Sequence, residues 1–150
     1  MTTQPSPLDT LLELARTRTD RALAELGDAL TASRNAEERL ALLQRYRDEY
    51  GARFAQSTAS GISITELRNY QVFIEKLQLA IEHQSREVES RRQGVGARAE
   101  GWRAARQTEN AFDTLQARRE QRARIADERQ QQKTTDEAAS RFVLNRSNGS

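Results

Sequence analysis

The 150-residue chain is 31% charged, 36% apolar and only 5% aromatic, which is too little bulky apolar side chain for a thick core and ample for a narrow seam between helices. Its 24 basic and 22 acidic side chains nearly cancel. The sequence pI of 9.4 therefore reflects a small surplus of Arg, not the concentrated basic face of a nucleic-acid binder.

There is no cysteine, which rules out disulfides and thiolate chemistry and fits a reducing compartment. No apolar run approaches the roughly 20 residues of a membrane span. Met1-Thr2-Thr3-Gln4-Pro5 lacks the basic and apolar regions of a signal peptide. Residues 1–5 read as a flexible N-terminus, and the protein as cytoplasmic.

The only prolines are Pro5 and Pro7, so nothing after residue 7 forbids helix. A first helix is predicted over 6–58. Ser6 is placed to cap it, Pro7 suits the first helical position, and Asp9 favours the positive end of the dipole. Leu8, Ala15, Ala22, Ala29, Ala36, Leu43 and Tyr50 then recur every seven residues. Leu12, Thr19, Leu26, Ser33, Leu40, Arg47 and Phe54 form a second ladder four residues on. The alternating steps of three and four are those of a left-handed coiled-coil seam, and the alanines allow a partner helix to approach closely.

The pattern breaks at Gln56-Ser57-Thr58-Ala59-Ser60-Gly61. Gly61 is suited to a left-handed helix end. Ser63 and Glu66 have capping-box spacing, and Ile62 and Leu67 that of a hydrophobic staple. A turn is predicted at 59–62 and a second helix over 63–142. Its ladders are Leu67, Ile74, Ile81, Val88, Val95, Trp102 and Tyr70, Leu77, Gln84, Arg91, Arg98, Ala105, Phe112.

Gly94, Gly96 and Gly101 weaken this helix by about 1 kcal/mol each relative to Ala. Val88, Val95 and Trp102 nevertheless keep their step through that stretch, so one continuous helix is expected. The fold class is all-α: a long two-helix antiparallel coiled-coil hairpin with the C-terminal helix overhanging. At helical rise the helices would run roughly 75 and 120 Å, with Leu8 near the level of Phe112. Residues 113–142 would then be unpaired, marginal as isolated helix, and ordered against a partner. Residues 143–150 read as a disordered tail.

No catalytic constellation is present. His83 is the only histidine, which precludes a His triad or His-based metal site, and its bland reading is a surface residue. There is no Gly-rich phosphate loop, and Gly61-Ile62-Ser63-Ile64 is a cap, not a nucleophile elbow. A two-helix seam offers no dry concave site. No enzyme activity, cofactor or metal is expected.

Two surfaces remain. Tyr46, Tyr50, Phe54, Tyr70, Phe73 and Leu77 gather near the turn. The bland reading makes them seam, but Tyr46, Phe73 and Ala80 lie beside the ladders, where exposed aromatics anchor partners. The overhang carries Arg118, Arg119, Arg122, Arg124, Arg129 and Lys133 among Glu120, Asp127 and Glu128. A solvated helix is the bland reading there. Interleaved acids and absent aromatics favour a protein partner over nucleic acid.

The chain resembles the FliJ family, cytoplasmic stalk components of the flagellar type III export apparatus. The resemblance lies in Leu40, Leu43, Tyr46, Arg47, Glu49, Tyr50 and Phe54, in Gly61 at the turn, then Leu67, Asn69, Tyr70, Phe73, Ile74, Leu77, Ala80, Ile81 and Gln84. It continues through Trp102 to Gln132, Lys133, Asp136 and Glu137, and covers most of residues 8–142.

The resemblance implies a fold like the coiled-coil part of the gamma subunit of rotary ATP synthases. It implies that the joined terminal ends enter the hexameric export ATPase FliI, which gives Leu8, Leu12, Arg118, Arg119, Arg122, Arg124, Arg129 and Lys133 as ATPase contacts. It implies that the turn side meets the export gate protein FlhA through Leu43, Tyr46, Tyr50, Phe73, Leu77, Ala80 and Gln84, and that export chaperones are escorted. A monomeric rod is expected, peripheral at the inner face of the cell membrane at the flagellar base. The alternatives are the equivalent stalk of a virulence-type secretion system and a generic structural coiled coil that self-associates through the overhang.

Overall fold

The computed structural model describes Gln4 and residues 6–149. Among these residues the chain is two α-helices and no strand: α1, Pro7–Ala59, of 53 residues, and α2, Ile64–Asn148, of 85 residues. Residues 1–3, 5 and 150, part of the expected flexible ends, lie outside the described residues. α2 continues six residues past the expected end at 142, through the stretch read from sequence as tail.

Each helix begins where its sequence supplies a cap. The Ser6 hydroxyl accepts from the Asp9 N–H at 3.2 Å, and the Ser6 N–H donates to Asp9 Oδ2 at 3.2 Å. This reciprocal box satisfies donors that the first helical turn leaves free. Ahead of α2, Ser63 Oγ accepts from the Glu66 N–H at 3.1 Å. Between the helices the Ser60 and Gly61 N–H groups bond back to the carbonyls of Ser57 and Thr58. Gly61 has φ 85°, the left-handed conformation expected of it.

The chain divides into two compact units, one of Met1–Thr17 with Arg106–Ser150 and the other of Arg18–Ala105. Within the second unit α1 and α2 run antiparallel. Phe54 stacks on Tyr70, the Ala36 carbonyl accepts from Gln84 Nε2 at 3.0 Å, Glu37 pairs with Arg92 and Glu25 with Arg98. Buried Ala36, Leu77, Ile81 and Val88 form its seam, together with the hydroxyl residues Thr19 and Ser33. Burying each branched side chain stabilises the pair by about 1.5–3 kcal/mol. Ala36 and Ser33, small and buried, let α2 approach closely enough for its Gln84 side chain to reach the backbone of α1.

The first unit repeats the arrangement. Leu12 and Ala15 are buried at 3% and 4% exposure. Arg16 pairs with Asp113 at 3.3 Å, and Arg119 donates to Ser6 Oγ. Leu8 therefore lies between these two rungs, beyond the level of Phe112 expected from sequence. Half-buried side chains continue to Gln116, so pairing reaches past Asp113. Only from 117 to 149 is every residue exposed.

Four ladder positions are exposed, Tyr50 and Leu67 near the turn and the two arginines of α2. Arg91 and Arg98 are exposed and reach acids instead of the seam, Arg91 to Glu87 at 2.8 Å and Arg98 to Glu25 at 3.0 Å. Half-buried Gly94 and Ala99 lie beside the seam in their place. Such solvent-facing pairs contribute about 0–1 kcal/mol each.

α2 is unbroken through Gly94, Gly96 and Gly101, and a Cβ added at any of them would meet nothing within 4 Å. Gly96→Ala and Gly101→Ala are therefore each expected to stabilise the chain by up to about 1 kcal/mol, by propensity alone. The check is the urea midpoint, which should rise additively in the double variant. A lower midpoint would mean that these positions need the freedom of glycine.

Candidate functional site

The aromatic surface lies in the second unit, on the last turns of α1 and the first of α2. Ladder spacing places Tyr50 and Phe54 on the seam edge of α1, and Tyr70 on that of α2. Phe54 and Tyr70 stack with ring centroids 3.7 Å apart and planes within 3°. Tyr50 lies parallel to Tyr70 at 5.8 Å and tilts 34° against Phe73 at 4.4 Å. Four rings thus form one continuous column, Phe54–Tyr70–Tyr50–Phe73. Contacts of this kind contribute about 0.5–1.5 kcal/mol each beyond area burial.

The column is buried at one end and open at the other. Tyr70 and Phe54 are half-buried, whereas Tyr46, Tyr50 and Phe73 are 50%, 41% and 41% exposed. Val72 and Leu79 add to the exposed apolar surface on α2, and Leu42 to that on α1. The packed rings hold one another in place, so their free faces are presented with little side-chain freedom left to lose on binding.

Of the residues assigned to the gate contact, Tyr46, Tyr50, Phe73 and Ala80 are exposed and Leu43 is half-buried. Leu77 is buried at 9% exposure, and the half-buried Gln84 side chain is engaged with the Ala36 carbonyl. Both lie in the seam, as their ladder positions require. Val72 and Leu79 were not singled out from sequence. They lie seven residues apart on the face away from the seam, and that spacing was the available signal.

The second surface belongs to the first unit. Arg118, Arg122, Arg124, Arg129 and Lys133 are exposed on the unpaired part of α2, and Arg119 is tied to the Ser6 cap. Leu12 is buried in the seam and Leu8 half-buried, while Leu11 and Leu14 on the same helix are 44% and 46% exposed. Glu109, seven residues after Trp102, is buried and pairs with Arg106 at 3.4 Å. Among the described residues no group of three or more His, Cys, Asp and Glu is placed to hold a metal ion, and no helix is long and apolar enough to cross a membrane.

These features define an antiparallel two-helix coiled coil that displays contact surfaces: an ordered aromatic column near the turn and an unpaired helix of mixed charge. The chain belongs to the FliJ family: the family model described as flagellar FliJ protein matches residues 4–148. It is 34% identical over 141 residues to the flagellar FliJ protein of Salmonella typhi, covering 94% of this chain and 96% of that one. It is 33% identical over 137 residues to the flagellar FliJ protein of Escherichia coli strain K12, covering 91% and 93%.

Proposed function

We propose that the chain is the non-enzymatic stalk of the flagellar type III export apparatus, coupling the export ATPase FliI to the export gate protein FlhA. The family supports the flagellar assignment. The observation that carries the coupling role is that each unit has its own unsatisfied surface. In the second unit it is the open rings of Tyr46, Tyr50 and Phe73. In the first it is the fully exposed helix from 117 to 148.

In this reading the aromatic column meets the gate. Rigid, partly exposed rings next to aliphatic side chains are the composition of binding hot spots. The unpaired α2 segment, with Arg118, Arg122, Arg124, Arg129 and Lys133, enters the ATPase together with the first turns of α1. Interleaved positive and negative side chains suit a protein surface of mixed charge, and a lone helix of this kind is stabilised when a partner covers it. The ATPase would hydrolyse nucleotide, while this chain would transmit its state. It would work on the cytoplasmic side, peripheral to the membrane at the flagellar base, and its exposed helical surface would serve to escort export chaperones.

Adding the chain to its cognate export ATPase should stimulate hydrolysis and promote the ring form of the enzyme. Failure of the full-length chain either to bind or to stimulate would sink the stalk reading. Tyr46→Ala should weaken gate binding about tenfold or more with far-UV helicity unchanged. A loss of helicity would instead make Tyr46 part of the seam.

A further inference from the structure

The seam of the first unit is polar on one side. Glu109, Phe112 and Gln116 follow one another on α2 by steps of three and four, and Leu8, Leu12 and Ala15 do so on α1. Glu109 is buried, and its carboxyl group pairs with Arg106, on the same helix, at 3.4 Å. That pair supports α2 and adds nothing to its contact with α1. Gln116 Oε1 is buried with no hydrogen-bond partner among the described residues. Turning the amide over would only put an unpaired donor in its place. In the second unit the seam amide Gln84 instead donates to the Ala36 carbonyl of the opposite helix at 3.0 Å. Polar groups buried without a partner across the contact favour separated helices, where water reaches them.

The α1 side points the same way. At about 100° per residue, Leu8, Leu11, Leu12, Leu14 and Ala15 share one broad face of about 160°. α2 covers only one edge of it. Leu12 and Ala15 are buried and Leu8 half-buried, while Leu11 and Leu14 are exposed.

We propose that residues 7–17 form a latch, a segment that releases from α2 as one piece. Arg16 to Asp113 and Arg119 to Ser6 hold it closed, and both ties are solvent-exposed and weak. The Ser6–Asp9 box belongs to α1 and travels with it. The opening therefore lies at the polar seam and is not an unravelling from the tip. Release joins Leu8 and Leu12 to Leu11 and Leu14 in one uncovered apolar face, the kind a broad apolar groove takes up. The closed pairing withholds half of that face.

The latch is a property of the chain alone and does not depend on the ATPase reading. Hydrogen exchange of the full chain, resolved by residue with NMR, reads the opening directly. Backbone amides of residues 11–17 should share a common protection factor, at least about a hundredfold below that of residues 77–88. Gln116→Leu and Glu109→Leu should each raise protection at 11–17 about tenfold and leave 77–88 unchanged. Three results would each overturn the proposal. They are protection at 11–17 equal to that at 77–88, protection that falls smoothly toward Pro7 as in plain end fraying, and leucine variants that leave it unchanged.

Discussion

Leu77→Ala is expected to destabilise the chain by about 2–5 kcal/mol, the usual cost of emptying a buried leucine site, whereas Phe73→Ala is expected to leave it folded and defective in binding the export gate. The two residues are four apart at the start of α2, yet their surroundings differ. Leu77 is 9% exposed and lies in the seam with Ile81 and Val88. Phe73 is 41% exposed and touches Tyr50 on one side only. Losing that ring contact costs about 0.5–1.5 kcal/mol of stability.

Thermal unfolding followed by circular dichroism, together with titration of the gate's cytoplasmic domain below the unfolding range, separates the two effects. Leu77→Ala should bind once folded, and Phe73→Ala should bind about tenfold more weakly at full helicity. The opposite pattern, a stable Leu77→Ala that cannot bind, would make Leu77 a contact residue.

The second large effect concerns the unpaired helix. A chain ending after Arg119 should keep its urea midpoint and lose nearly all stimulation of the export ATPase. No described residue from 117 to 149 is buried, so the deleted helix contributes almost nothing to the seam. The position of the cut decides whether the experiment can be interpreted. A cut after Phe112 would also remove Asp113 from Arg16, Arg119 from the Ser6 cap and half-buried Gln116. It would confuse lost contact with lost stability. Retention of full stimulation by the chain ending at Arg119 would place the ATPase contact elsewhere.

The seam was legible because heptad spacing is a local property. Leu12, Ala15, Thr19, Ser33 and Ala36 are all buried, and two of them are polar residues that hydropathy alone would have put outside. The turn was legible for the same reason, since Gly61 and Ser63 act on their immediate neighbours. What the spacing could not settle was register between helices. Leu8 lies beyond the level of Phe112 because Arg16 meets Asp113 and Arg119 meets Ser6, contacts between residues about a hundred positions apart.

Arg98 shows a second limit. Its ladder position is sound, but a long charged side chain leaves the seam for Glu25 and keeps its head in water. Leu77 and Gln84 show a third. A family resemblance assigns them to a contact surface, while their ladder positions draw them into the seam, and only packing distinguishes the two.

If one chain links the export ATPase to the gate, a bridging assay should show it. Immobilised ATPase would be incubated with the gate's cytoplasmic domain, with and without this chain, and the retained gate measured. Retention should require the full-length chain, and should be lost both with Phe73→Ala, which still binds the ATPase, and with the chain ending at Arg119, which still binds the gate. If the gate is retained equally without the chain, or if the chain engages only one partner at a time, it is not the link.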